Sequence, residues 1–229
     1  MRVVILQPSF LPWKGYFHQI KRANVFVFLD DVQYDKHGWR NRNKIKTPQG
    51  AQWISVDVLT KGKFGQAIKD VAINNGVNWN ERIWKAIKMN YQKCPYFREH
   101  AAYLEEALFT KWEMLSEFDM FLTKKIAREL NLKAEFYQSS ELHVDGDKIE
   151  RIINICKLFK ADRYLTGPSA RNYLVDDLFR RNGIVLEYQA YDYRPYPQQY
   201  GEFIGDVSII DVLFNCGAES SRYIWGEIP

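Results

Sequence analysis

The chain has 229 residues, of which 46% are hydrophobic and 26% charged, and its formal net charge is +4. This composition is that of a globular protein with a sizeable core; it excludes wholesale disorder, and the charge does not by itself require a nucleic-acid partner. The three cysteines are too far apart for a disulfide framework or a paired metal motif, which favours a reducing compartment.

The N-terminal part has the pattern strand, turn, helix, strand. Residues 3–6 and 25–29 are continuous apolar runs that predict two buried strands, and residues 13–22 predict a helix between them. Pro8 and Pro12 mark the turn that separates the first strand from the helix. This order is typical of a βαβ unit, so we expect the two strands to be parallel neighbours in one sheet.

A polar segment and two short strands are predicted next. Residues 33–50 are polar and basic and predict a loop. Residues 51–58 alternate in polarity like a half-buried strand, and residues 68–73 are expected to pair nearby.

Three helices follow in the middle of the chain. They are predicted over residues 79–91, over residues 96–109 and from Ser116 onward. Asn78 precedes the first of them as a cap, and Ser116 has Asp119 three residues later, the spacing of a capping box. We interpret this stretch, at about residues 77–131, as a helical insertion or subdomain.

The C-terminal part returns to alternating strands and helices. Strands are predicted at residues 134–138, 163–166 and 184–189. Helices are predicted at residues 147–160, from Gly167-Pro168-Ser169 to Asn182-Gly183, and from Ser208 to Gly217. The sequence therefore predicts one Rossmann-like α/β domain over residues 1–229 with a parallel sheet. Since no apolar run suits a membrane span or a signal peptide, we expect a soluble, cytoplasmic protein with no membrane partner.

The first segment suited to chemistry covers residues 7–16, between the first strand and its helix. Ligands of open α/β sheets bind at such a junction because free amide groups and the helix dipole favour anions such as phosphate. The segment has too few glycines for a dinucleotide fingerprint, and its spacing is not that of a P-loop. Gln7 and Lys14 are its candidate binding residues. The alternative is a rigid turn with Trp13 in the core.

The second segment, residues 30–34, follows the second strand. The adjacent carboxylates of Asp30 and Asp31 point in different directions, so we expect at most one, with Asp30 as the candidate, to face a cleft and bind sugar hydroxyls or act as a general base. Solvation or helix capping is the alternative role for the other carboxylate. Gln33 is a further candidate binding residue of this segment. No metal site or cofactor is expected, because no histidine or cysteine lies at ligand spacing.

The third segment, residues 36–46, contains five cationic side chains and one tryptophan. It is a candidate clamp for a phosphate, a pyrophosphate or a nucleic-acid backbone, and a solvated charged loop is the alternative. His37 is the histidine best placed for catalysis. Planar donors suited to directed recognition follow it, namely Arg40, Asn41, Arg42 and Asn43.

The fourth segment, residues 166–173, repeats the junction of a strand with a helix. Ser169 and Arg171 offer a hydroxyl and a guanidinium to an anion. A simple N-cap is the alternative role for Ser169. The serine lacks the flanking glycines of a hydrolase nucleophile elbow.

These strings together resemble a known family. Val-Ile-Leu-Gln-Pro-Ser-Phe-Leu-Pro-Trp-Lys-Gly-Tyr-Phe, Phe-Leu-Asp-Asp-Val-Gln-Tyr and Trp-Arg-Asn-Arg-Asn-Lys-Ile-Lys are similar to the start of WbqC-like proteins. The resemblance continues at residues 90–97, at Gly167-Pro168-Ser169 and at residues 208–217, and so runs over nearly the whole chain.

The resemblance implies a transferase of bacterial O-antigen and lipopolysaccharide biosynthesis. Its expected reaction is transfer of an acyl or aminoacyl group, glycine in particular, to the amine of a nucleotide-linked dideoxyamino sugar. The second partner is then the acyl or aminoacyl donor, with aminoacyl-tRNA as one candidate. Such a reaction needs a base, donors for a tetrahedral oxyanion and a pyrophosphate clamp. The candidates are Asp30 or His37 as base, Lys14, Arg40 and Arg42 as clamp, and Gln7, Gln33, Asn41 and Asn43 as orienting groups.

A more distant similarity connects the N-terminal order of elements with nucleotidylyltransferases, whose first turn carries His-x-Gly-His. Here Trp13-Lys14-Gly15-Tyr16 replaces that tetrapeptide, and both histidines are missing. Two alternatives stay open: a nucleotidyl- or adenylate-forming enzyme, and a non-catalytic sugar- or RNA-binding module. We further expect one cleft at the strand carboxyl ends to contain Gln7, Asp30, Gln33, Arg40, Asn43 and Ser169.

Overall fold

The computed structural model describes residues 1–192 and 194–225. Within that part of the chain the strands are β1 (Arg2–Leu6), β2 (Val25–Phe28), β3 (Arg42–Thr47), β4 (Gly50–Ser55), β5 (Glu135–Gln138), β6 (Arg163–Thr166) and β7 (Val185–Tyr188). The helices are α1 (Lys14–Arg22), α2 (Trp79–Tyr91), α3 (Phe97–Phe109), α4 (Leu115–Glu129), α5 (Ser139–Leu142), α6 (Lys148–Leu158), α7 (Asp176–Arg181), α8 (Ile209–Cys216) and α9 (Ser220–Trp225).

Five strands form a parallel sheet in the order β5-β2-β1-β6-β7. In β1, Val3 pairs with Val25 of β2 on one side and with Tyr164 of β6 on the other. The predicted α/β fold with a parallel sheet is confirmed, and so is the prediction that the first two strands are parallel neighbours.

Both faces of this sheet are covered. Val4 faces a large apolar cluster that includes Phe17 of α1 and Phe118 of α4. Val3 and Ile5 face the opposite side, where they join a second cluster that α6 and α7 help to build. Because neighbouring residues of a strand point to opposite faces, a strand covered on both sides must be apolar at every position. The continuous apolar runs of β1 and β2 have this cause.

The order of strands reverses between β1 and β6. From β1 the chain proceeds to β2 and later β5 on one side, whereas β6 and β7 are added on the other side. The loops that leave the carboxyl ends of β1 and β6 therefore diverge and leave a crevice between them. In open α/β sheets this topological switch point is where ligands bind.

The basic segment differs from its predicted loop. Residues Arg42–Thr47 form β3, which pairs antiparallel with β4 through a two-residue turn that ends at Gly50. Gly50 has a φ of 104°, which a residue with a side chain rarely adopts. The alternation of apolar and polar residues that is typical of a strand is not visible in β3, because Asn43 and Lys46 are polar and yet buried. The inward face of the hairpin is therefore not recognisable from polarity.

Three other boundaries differ from the predictions. Residues 68–73 form a 3₁₀ turn at Ile68–Asp70, followed by two isolated antiparallel bridges, Ala72 with Met114 and Ile73 with Val58. Helix α4 begins at Leu115, and Ser116 is buried in its first turn instead of capping it. The helix predicted after Gly167 is split into a 3₁₀ turn, Pro168–Asn172, and α7.

Two predicted helix starts have side-chain caps. Asp147 accepts hydrogen bonds from the amides of Ile149 and Glu150 at the start of α6, each 3.0 Å long. Ser208 accepts from the amide of Ile210 at the start of α8. In the described residues, none of the helices has the length and apolar character needed to traverse a lipid bilayer.

Candidate functional site

A cleft of about 990 Å³ opens at the switch point of the sheet. Its floor includes Ile5 and Leu6 at the end of β1 and Tyr164 and Thr166 in β6. The walls come from the first loop (residues 7–13), the basic segment (residues 36–46), the start of α6 and the turn after β6. Side chains on these walls that can bind a ligand are Gln7, Trp13, Tyr16, Gln33, Trp39, Arg40, Lys148, Arg151, Ser169, Tyr173 and Asp206.

The cleft brings together residues that are distant in the sequence. Of the predicted site residues, Gln7, Gln33, Arg40, Asn43 and Ser169 line it. The others, which do not line it, are Lys14, Asp30, His37, Asn41, Arg42 and Arg171.

Arg40 is the cation most closely built into this wall. Its Nη1 donates to the side-chain oxygen of Gln7. Its Nε is buried and has no hydrogen-bond partner among the described residues. Burial lowers the pKa of Arg40, while the neighbouring Tyr16 and Asp119 act in the opposite direction. The guanidinium is thus desolvated on its inner side and directed to the cleft, an arrangement that strengthens its attraction for an anion.

Asp119 lies beneath Arg40, on α4. The residue is fully buried, and neither carboxylate oxygen has a hydrogen-bond partner among the described residues. Burial raises the pKa of Asp119 well above its usual value, and the charge of Arg40 opposes this shift. Sequence reasoning assigned Asp119 only to a capping box, because nothing in the local pattern of α4 indicates that this position faces Arg40.

The first loop is held rigidly against the basic segment. The side-chain amide of Asn43 donates to the carbonyl oxygens of Phe10 and Leu11, at 3.2 and 2.6 Å. Ser208 also donates to the carbonyl of Leu11, at 2.8 Å. Leu11 has a φ of 42°, in the left-handed region, which costs about 1 kcal/mol for a residue other than glycine. Asn43 therefore serves to position the loop, and its bonds maintain a strained residue next to the cleft.

The glycine in the tetrapeptide Trp13-Lys14-Gly15-Tyr16 has a steric explanation. A Cβ atom on Gly15 would lie 2.1–2.4 Å from the indole ring of Trp13, so only glycine lets this ring fold over the start of α1. Trp13 packs edge-on against Tyr191, with ring centroids 5.1 Å apart, and forms part of the cleft wall. The hydroxyl of Tyr16 donates to the carbonyl of Gln7, at 3.1 Å. Two aromatic rings of the motif thus shape the wall.

Lys14 points away from the cleft. Its Nζ donates to the carbonyl of Arg194 at 2.8 Å and lies over the rings of Tyr196 and Phe203, at 4.7 and 5.1 Å from their centroids. Burial lowers the pKa of Lys14 to about 8, although Asp211 opposes the shift. This lysine stabilises the packing of the C-terminal segment and does not reach a ligand in the cleft.

The two aspartates after β2 tie helices to the sheet. Asp30 is 1% exposed and accepts hydrogen bonds from the hydroxyl of Ser139, at 3.0 Å, and from the amide and hydroxyl of Ser140, at 3.0 and 2.7 Å. Asp31 accepts from Ser139 and pairs with Arg151. Burial opposes ionisation of Asp31, but the bonds from Arg151 and Ser139 outweigh it and lower its pKa. Both carboxylates are occupied by the protein itself.

The remaining predicted residues make local contacts. Arg42 donates to the carbonyls of His37 and Gly38 and lies 4.5 Å from the ring centroid of Trp53. His37 is exposed at the edge of the basic segment. Asn41 donates to the carbonyl of Val56, and Arg171 lies over the ring of Tyr188.

Several cleft residues were not identified from the sequence. Lys148, at the start of α6, lies over the ring of Tyr173, 3.9 Å from its centroid. Asp206 pairs with Lys44 at 2.6 Å. These side chains come from segments without a recognisable motif, and only the packing of α6 and of the segment before α8 against the sheet directs them to the cleft. Across residues 1–192 and 194–225, no group of three or more His, Cys, Asp or Glu side chains could hold a metal ion.

The walls combine cations, aromatic rings and hydroxyls. Arg40 and Lys148 both line the space, while Trp13, Trp39 and Tyr173 supply flat apolar surface. Sites for polar ligands with rings commonly have this composition, since rings stack on aromatic side chains and a few placed cations orient the charged part. The cleft is therefore suited to an anionic ligand that carries a ring.

Comparison with known proteins identifies the relatives of this chain. A protein of Mycobacterium tuberculosis, named "Uncharacterized protein Rv1507c", is 38% identical over 225 residues, which cover 97% of each chain. No solved structure gives a significant match. The model of the WbqC-like protein family matches residues 7–223. The chain therefore belongs to the WbqC-like protein family.

Proposed function

We propose that this protein is a transferase of bacterial surface-polysaccharide biosynthesis. Its reaction is transfer of an acyl or aminoacyl group, glycine among the candidates, to the amine of a nucleotide-linked dideoxyamino sugar. The observation that carries this proposal is the position of Arg40. Its guanidinium is held by Gln7, desolvated on its inner side, and directed into the cleft at the switch point of the sheet.

The size and chemistry of the cleft support this class of ligand. A volume of about 990 Å³ is at the upper end for small-molecule sites and accommodates a sugar together with a nucleoside diphosphate. A pyrophosphate carries charge that Arg40 and Lys148 can both bind. The hydroxyl of Ser169 and the amide of Gln33 can bond to sugar hydroxyls, and the aromatic walls can stack on the sugar ring.

The transfer itself requires a base on the cleft wall. The sugar amine must lose a proton before its nitrogen attacks the carbonyl carbon of the ester or thioester donor; an amide bond forms and the donor's carbon–oxygen or carbon–sulfur bond breaks. We assign the base to Asp206, which lines the cleft, is partly exposed and pairs with Lys44 through only one carboxylate oxygen, Oδ2. Asp30 is less suited because its carboxylate is buried and accepts three hydrogen bonds within the protein.

Calorimetric titration with a nucleotide-linked amino sugar tests the binding step. A hydrogen bond to a charged group contributes about 1.5–3 kcal/mol, so Arg40→Ala should weaken binding by roughly 10- to 100-fold. Arg40→Lys should restore it only in part, because an ammonium group lacks the planar fork of the guanidinium. The matched control is Arg171→Ala, which removes an arginine outside the cleft wall and should change the affinity little.

Mass spectrometry of the sugar after incubation with an aminoacyl or acyl donor tests the chemistry. An amide product that is lost in Asp206→Asn would support the assignment. Equal, small losses of affinity in Arg40→Ala and Arg171→Ala would refute the binding site. Binding without any amide product across donor classes would refute the transferase and favour a non-catalytic sugar-binding protein.

A further inference from the structure

Two exposed tryptophans lie together on the outer face of the hairpin. Trp39 and Trp53 have ring centroids 5.0 Å apart, and each leaves 42% of its surface exposed. Large aromatic side chains are rarely left in contact with water in pairs, because their burial contributes more than that of most residues. The pair therefore needs an explanation other than the stability of the core.

Two cations complete this surface. Lys44 lies directly across the hairpin from Trp53, and its Nζ is 5.4 Å from that ring centroid and 5.7 Å from that of Trp39. The guanidinium of Arg42 is 4.5 Å from the centroid of Trp53. We call Trp39, Trp53, Arg42 and Lys44 the tryptophan platform.

The two cations of the platform are held by other groups of the protein. Arg42 donates to the backbone carbonyls of His37 and Gly38, and Lys44 is paired with Asp206 at 2.6 Å. The cations are thus held in place by other partners while they lie over the rings. A ligand that docks here would not have to order them, which lowers the entropic cost of binding.

The platform is continuous with the cleft. Trp39 belongs to both, and the next residue is Arg40. Asp206, which lines the cleft, pairs with Lys44 of the platform. A ligand whose phosphate contacts Arg40 can therefore extend from the cleft onto the platform without leaving the protein surface.

We propose that the tryptophan platform binds the nucleobase of the nucleotide whose phosphates occupy the cleft. This inference rests on the proposed function, since it names where the nucleotide part of that substrate lies. A base presents a flat π-surface that stacks on an indole, and the flanking cations suit the phosphates next to it. Stacking does not read the edge of a base, so the platform should accept different bases.

The test compares a nucleoside diphosphate with inorganic pyrophosphate, which has the phosphates and no base. Wild-type protein should bind UDP and ADP more tightly than pyrophosphate by roughly 5- to 100-fold, the range for stacking one base on an aromatic side chain. Trp53→Leu should remove most of this difference and leave pyrophosphate affinity unchanged. Trp53→Phe, which keeps a ring, should retain most of it. Calorimetry gives the affinities, and quenching of tryptophan fluorescence by UDP reports the stacking.

Phe109→Leu is the matched control, because Phe109 is an aromatic side chain of similar exposure, 47%, that does not line the cleft. Equal affinities for UDP and pyrophosphate, or equal effects of Trp53→Leu and Phe109→Leu, would refute nucleobase binding by the platform. The proposed function would not be affected by that result. If neither UDP nor pyrophosphate binds, the proposed function is overturned as well. If a single-stranded oligouridylate binds much more tightly than UDP, the ligand of this surface is RNA and not a nucleotide, and the proposal is overturned.

Discussion

Two buried aspartates mark two different parts of this molecule. Asp211 is 1% exposed, and its oxygens accept hydrogen bonds from the hydroxyls of Tyr91 and Tyr196, at 2.7 and 2.8 Å, and from the amide of Gln198, at 2.7 Å. Asp119 is 0% exposed and has no hydrogen-bond partner among the described residues. Both positions are equally hidden from water, so burial alone does not account for the difference.

The surroundings of Asp211 form a structural network. The hydroxyl of Tyr91 accepts from the amide of Lys46 on β3, at 2.8 Å, and Gln198 accepts from the side chain of the same lysine, at 2.9 Å. Asp211 thereby connects α2, α8 and the hairpin. A buried polar network in which every member is bonded favours one arrangement of the elements around it.

Asp119, by contrast, adjoins the cleft. Its neighbours Arg40 and Tyr16 belong to the cleft wall. A buried carboxylate without hydrogen bonds costs stability, and proteins retain such groups chiefly where function requires them. The comparison indicates that a hydrogen-bonded buried carboxyl group organises the fold here, whereas a buried carboxyl group without hydrogen bonds accompanies the candidate site.

The largest effect is expected at Asp211. Asp211→Ala would leave the donors of Tyr91, Tyr196 and Gln198 buried without an acceptor, so the free energy of unfolding should fall by about 3–5 kcal/mol. Urea denaturation followed by circular dichroism measures this. Asp177→Ala, which removes an exposed aspartate paired with Arg180, should stay within about 0.5 kcal/mol of wild type. A loss below about 1 kcal/mol at Asp211 would show that the network is not structural.

An effect that depends on pH is expected at Asp119. Because its pKa is raised in the folded protein, the stability contribution of this group is complete below about pH 4 and is lost as the pH rises towards the folded pKa. Asp119→Asn cannot ionise and avoids this loss. The variant should therefore gain stability relative to wild type from about pH 4.5 upward, by at most about 1.4 kcal/mol per pH unit.

Denaturation curves of wild type and Asp119→Asn between about pH 4 and 7 give this difference directly. A difference that stays constant over the range would mean that Arg40 fully compensates the buried carboxylate. Asp119 would then be a compensated carboxylate like Asp211, and the contrast between the two regions would disappear.

The smallest effects concern single hydroxyls. Tyr196→Phe removes a donor to Asp211 and should cost about 1–2 kcal/mol. Thr123→Val removes a buried hydroxyl that has no hydrogen-bond partner among the described residues, and should change the stability by about 0.5 kcal/mol or less. Thermal unfolding measures the loss of stability in each variant. Equal losses of stability would argue against the distinction between hydrogen-bonded and unbonded buried polar groups.

The sequence predicted the position of the cleft better than it predicted which side chains face it. Gln7, Arg40 and Ser169 lie next to the ends of predicted elements or in a cationic string, and the rule that ligands bind at strand carboxyl ends brings such residues to one edge. The same rule says nothing about side-chain direction. Lys14 begins the helix after β1 and Asp30 lies two residues after β2, yet each is turned inward and bonded within the protein.

Local pattern by itself determined the parallel sheet, most of the helices, and the family strings within residues 4–46. Apolar runs and helical periodicity depend on neighbours along the chain, and these are visible in the sequence. The tertiary structure alone decided that β3 is a strand, that Asp119 lies beneath Arg40, and that Lys148 and Asp206 face the cleft. Each of these depends on contacts between segments far apart in the chain, and a side chain's direction and charge environment are set by those contacts rather than by its own neighbours.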